Sequence, residues 1–104
     1  MTKEEAEKLV PHKFRIACED YTVKITENGD DFGTFDTINN EIELFLNVRD
    51  DDGHYIEITK QKFLATWYHE LGHCINYCWN TETGEDFAQA FSNFMMQFNE
   101  TKQD

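Results

Sequence analysis

The chain reads as an α+β fold in one domain spanning 1–104: a short N-terminal helix, a small antiparallel sheet of three to five strands, then two helices. Three observations carry that reading. Between residues 13 and 58, apolar and polar side chains alternate, the period-two pattern of half-buried strands. From residue 60 onward the apolar side chains recur at three- and four-residue steps, the period of a helix buried on one face. Asn80 to Gly84 then breaks the helical pattern with turn-forming residues and divides it in two.

Taken in order, Thr2 with Glu5 three residues later is a capping box, opening a helix that Pro11 and His12 close. Phe14, Ile16 and Cys18 alternate with Lys13, Arg15 and Ala17 in a first strand. Tyr21, Val23 and Ile25 alternate with Thr22, Lys24 and Thr26 in a second. Asn28–Gly29 is a hairpin signal. A third strand is expected within 32–38, with Asn39–Asn40 as the next turn. Glu41 to Val48 is the clearest strand: Ile42, Leu44, Leu46 and Val48 point one way, and Glu41, Glu43, Phe45 and Asn47 the other. Asp50 to Gly53 forms a loop, and a short strand follows in 55–58. The three aspartates lack the ligand spacing and distant Glu of a calcium loop, so they read as a solvated turn.

Thr59 caps a helix of about twenty residues whose apolar face is Leu64, Trp67, Leu71, Cys74 or Ile75, and Cys78. Thr83 and Asp86 form another capping box and place Glu85 in the first turn of the last helix. The apolar face there is Phe87, Phe91, Phe94 or Met95, and Phe98, with the four phenylalanines expected in the core.

The formal net charge of −12 argues against nucleic acid or anionic membrane as partners, because phosphates would be repelled. It mildly favours a basic peptide, although solubility is the better account of it. The first eight residues lack an apolar leader core and no stretch reaches membrane-spanning length, so a cytoplasmic protein is the expectation. Three cysteines, an odd number, fit reduced thiols better than a disulfide framework.

Midway along the longer helix stands His69-Glu70-Leu71-Gly72-His73, an HExxH pentapeptide. Helical geometry puts both imidazoles one turn apart on one face, with Glu70 about 100° round from His69. Two neutral nitrogen donors, room for water and an adjacent carboxylate are the parts of a zinc hydrolase site. With 4 His and 12 Glu in the chain, shuffling would produce the motif about 2% of the time, so context decides. The amphipathic helix around it, with the histidines beside the core face, supports a built site. A metzincin would need Gly at position 76 and His at 79, where this chain has Asn76 and Trp79.

The pentapeptide followed by Glu85-Asp86-Phe87-Ala88-Gln89-Ala90-Phe91 resembles the gluzincin metallopeptidases, including lethal-factor-type and Pro-Pro endopeptidases. The layout is more similar still to the short metallopeptidases encoded by phages and prophages. The resemblance covers roughly residues 32 to 98 and implies that His69, His73 and Glu85 hold Zn2+. It further implies peptide or protein as substrate, bound along an edge strand beside the helix. Glu41–Val48 is the candidate edge, with an interior position as its alternative. Glu70 would be general base and later acid. Tyr77, one turn beyond His73, is the candidate oxyanion donor, with Tyr68 and His54 as looser ones. Cys74 and Cys78 read as buried thiols on the core face.

Only 11 residues separate His73 from Glu85, and a straight helix to Trp79 followed by a tight turn would leave them about 9 Å apart along the axis. Either the helix ends near Asn76 or Tyr77, or the next one crosses it steeply; Glu82 is the other carboxylate at hand. Two rival functions stay open: a catalytically inactive zinc-binding regulatory or interaction module, and a metal-free interaction protein with a chance motif. Oligomeric state is not legible.

Overall fold

The computed structural model describes residues 1–16, 19–78 and 84–101 and has the expected α+β architecture. Helix α1 (Lys3–Glu7) leads into strands β1 (Lys13–Ile16), β2 (Glu19–Gly29), β3 (Gly33–Asp36), β4 (Glu41–Arg49) and β5 (Tyr55–Glu57). Helices α2 (Lys60–Cys78) and α3 (Gly84–Thr101) follow. The Thr2 capping box is formed, with the Thr2 hydroxyl accepting from the Glu5 amide and the Glu5 carboxylate accepting from the Thr2 amide. Thr59 caps α2 by accepting from the Lys62 amide at 3.1 Å. Ala17, Cys18 and the segment 79–83, with Glu82 and Thr83, lie outside the described residues, so the calls made on them do too.

The sheet is mixed. Its order is β1-β2-β4-β3, and β5 continues along β4 beyond the end of β3. All pairings are antiparallel except β2 with β4, which is parallel in a register running from Thr22 opposite Glu41 to Gly29 opposite Val48. The expected antiparallel meander is therefore corrected at its centre. Asn28–Gly29 is no hairpin turn but the end of β2. The Asn47 side-chain amide donates to the Glu27 carbonyl and to Asn28 Oδ1, which fastens that end to β4. Gly29 lies under the Phe45 ring, where an added Cβ would come within 2.3 Å of ring carbon. Close approach, rather than turn geometry, explains this glycine. The turn at 37–40 does form, with Asn40 at φ 51°.

β4 alternates as expected, with Ile42, Leu44 and Leu46 buried. It is flanked by β2 on one side and by β3 and β5 on the other, so it is interior and not the edge. The edge strand beside α2 is β3, whose only partner among the described strands is β4. Tyr21, Val23 and Ile25 join the β4 residues against Phe63, Trp67 and Cys74 of α2, with Ala6 and Val10 closing one side. Each of the buried valine, leucine, isoleucine and phenylalanine side chains contributes about 1.5–3 kcal/mol through burial. The buried face of α2 is thus Phe63, Trp67, Glu70 and Cys74, while Leu64 and Leu71 are half-buried. Both described thiols are free; Cys74 is fully buried, and Cys78 Sγ lies 2.9 Å from the Tyr21 hydroxyl.

Helix α3 packs on α2 rather than on the sheet. The contact is close: a Cβ at Gly72 would lie 2.9 Å from Ala88 Cα, and Ser92 Oγ donates to the Ala65 carbonyl at 2.7 Å. Ala88 and Ser92 therefore face α2. That turns the phenylalanine stripe outward, leaving Phe87 and Phe91 half-buried and exposing Phe94 by 65% and Phe98 by 52%. The expectation that all four are core is corrected. Periodicity marks an apolar stripe but does not say how far a neighbour covers it. Gly72→Ala should lower stability by about 1–2 kcal/mol in urea unfolding, because overpacking against backbone outweighs about 1 kcal/mol of helix propensity. An unchanged or higher midpoint would show that α3 can shift freely.

Candidate metal centre

The site is built on α2 and completed by α3 and β3. One helical turn brings His69 and His73 together, their rings 4.8 Å apart and near-perpendicular at 77°. The potential donor atoms of His69, Glu70 and His73 lie within 4.8 Å of one another, and this group can hold a metal ion. The first turn of α3 supplies a further carboxylate. Glu85 Oε1 lies 2.6 Å from His73 Nε2, and Glu85 Oε2 lies 3.1 Å from His69 Nε2. One carboxylate thus spans both imidazoles, each oxygen against one ring. Imidazole nitrogen and carboxylate oxygen are the donor types of a small divalent ion's site.

The distance from His73 to Glu85 is closed without an early helix end, since α2 continues to Cys78. The close seat of Ala88 on Gly72 sets the first turn of α3 beside the histidines, and the Glu85 side chain spans the remainder.

Glu70 occupies a different position from Glu85. It is 8% exposed, on the face of α2 that turns toward the sheet, whereas the Glu85 side chain is 75% exposed. Burial, the largest influence, raises the Glu70 pKa above the ordinary carboxylate range; His73 and His69 pull it down, and Glu85 and Asp31 push it up. Glu70 also borders two cavities. The larger, about 490 Å³, is lined by Phe35, Thr37, Glu70, His73, Asn76, Tyr77 and Glu85. The smaller, about 230 Å³, lies on the His69 side between Phe32, Gly33, Lys62 and Gln89. β3 and its flanks border both, so the cleft follows the edge strand past Glu70.

Tyr77 stands in the larger cavity, in edge contact with Phe35 at 6.0 Å. The looser oxyanion candidates are not brought to the site. The Tyr68 hydroxyl accepts from Asn99 at 2.8 Å, and its ring packs on Trp67 and Phe91. His54 follows the Asp50 loop, where Asp50 Oδ1 accepts from the Asp52 and His54 amides. Those bonds make the loop a backbone turn held by its own carboxylate. Sequence reasoning missed Phe35, Thr37 and Lys62; the edge position of β3 would have pointed to the first two.

Among the described residues, no helix is long and apolar enough to cross a membrane. Comparison with protein-family models, curated proteins and solved structures finds no match for this chain.

Proposed function

We propose that the protein is a zinc-dependent peptidase of gluzincin type, in which His69, His73 and Glu85 hold the ion and Glu70 moves protons. The single observation that carries this reading is the Glu85 carboxylate spanning both imidazoles of the HExxH helix, with Glu70 buried beside them. Zinc held there supplies Lewis acidity and a bound water acidic enough to be used near neutral pH. Glu70 accepts the proton of the attacking water at its carboxylate and returns it to the leaving amine. Its burial raises its affinity for that proton, which suits the second half of the task. Tyr77 directs its hydroxyl to the oxygen of the scissile carbonyl, from within the same cavity as Glu70. β3, with no strand on its outer side among the described residues, holds an extended peptide through main-chain hydrogen bonds; it takes the part that the sequence reading gave to Glu41–Val48.

The test is metal content and cleavage together. Protein purified without an affinity tag should carry about one zinc per chain by mass spectrometry and should cleave denatured protein or peptide substrates. Zinc without cleavage would leave a zinc-binding interaction module. Neither zinc nor a zinc-induced rise in melting temperature would reduce the pentapeptide to coincidence.

A further inference from the structure

We propose that the cavity walled by Phe35 and Tyr77 is a subsite for a lysine or arginine side chain of the peptide, an assignment that rests on the peptidase reading. Four observations converge on it. The cavity wall carries two aromatic rings in edge contact, 6.0 Å apart. Tyr77 is 56% exposed, so the space is open to water and a wholly apolar side chain would stay wet there. The lining includes the Glu70 and Glu85 carboxylates and, among the described residues, no lysine or arginine. The cleft already seats one ammonium on a ring at its other end, where Lys62 Nζ lies 4.3 Å from the Phe32 ring centre.

Charge decides between a basic and an acidic occupant. A divalent ion at the histidines balances Glu70 and Glu85 locally. The rest of the molecule still carries a large excess of acid, from a formal −12 without the ion. An acidic side chain meets that field and the negative faces of the rings. A norleucine-like stem gains apolar contact alone. A lysine or arginine lays the same stem on Phe35 and Tyr77 and keeps its charged head in water, adding a cation–π contact. At an exposed site such a contact is worth about a two- to fivefold gain in binding.

The experiment scans a fluorescent Ala/Ser decapeptide with lysine, norleucine or glutamate at one position at a time. Binding is measured by anisotropy to zinc-loaded Glu70→Gln protein, and cleavage by the wild type is followed separately. At one position lysine should bind about two- to fivefold more tightly than norleucine, with glutamate weakest. Thr37→Lys places a cation at the rim of the same cavity, on an exposed turn where it leaves the fold intact. It should erase the lysine advantage at that position and make glutamate the better ligand. A lysine advantage at no position, or one that Thr37→Lys leaves in place, overturns the subsite. Wild-type cleavage without the preference overturns the subsite and keeps the peptidase; absence of both binding and cleavage overturns both.

Discussion

Glu70→Gln is expected to lower peptide hydrolysis by roughly 10²- to 10⁴-fold, the usual range for removing a general base, while zinc stays at about one per chain. Glutamine preserves shape and hydrogen-bonding capacity, so the position remains filled, but the amide cannot accept and return a proton. The stability of the variant separates this from misfolding. Burial raises the Glu70 pKa in the folded state, so its contribution to stability is present at low pH and is lost as pH rises through the raised value. A raised pKa means that ionising the buried carboxylate costs stability, so Gln, which cannot ionise, should leave the melting temperature of the metal-free protein unchanged or raise it. A variant that is fully folded, binds zinc and still cleaves at the wild-type rate would remove Glu70 from the chemistry.

Glu85→Ala is expected to remove most of the stabilisation that zinc confers. The Glu85 side chain is 75% exposed, so its contacts with the two imidazoles add little to the metal-free fold. As a ligand of the proposed ion it would become the clasp between helices. At free zinc a thousandfold above Kd, binding stabilises a protein by about 4.1 kcal/mol. If losing Glu85 weakens binding about a hundredfold, about 2.7 kcal/mol of that disappears, which is roughly 10–20 °C in melting temperature for a domain of this size. Glu100→Ala, on the same helix and exposed, is the control and should leave the zinc-induced rise intact. An equal rise in Glu85→Ala and wild type would take Glu85 out of the ligand set and leave the His69–Glu70–His73 group to account for binding.

The parts of the fold that were legible in the sequence are those set by neighbours a few residues apart. The Thr2 box and the Thr59 cap are i to i+3 contacts, and the β4 alternation reports its buried face directly. The pentapeptide belongs to the same class, since one helical turn suffices to bring His69 and His73 together. What escaped is set at long range. Parallel pairing of β2 with β4 joins residues nineteen apart, and no local signal distinguishes it from a hairpin once Asn28–Gly29 suggests a turn. The same pairing makes Glu41–Val48 an interior strand and leaves β3 as the edge. The outward set of Phe94 and Phe98 depends on Gly72 admitting Ala88, a fit between two helices that neither one announces alone.

Among the described residues, the core cluster draws its buried side chains from the α1 region, the sheet, Ile58 and α2, and none from α3. The last helix is seated instead by Ala88, by the Ser92 bond to Ala65 and by the Asn99 bond to Tyr68. With these few ties it is expected to form a separate tier of local stability, opening while the sheet and α2 stay closed. When it opens, Glu85 leaves with it and both histidines remain displayed on an intact helix. If Glu85 is a ligand as proposed, ion binding would favour the docked helix, and amide exchange along α3 would slow as the site fills.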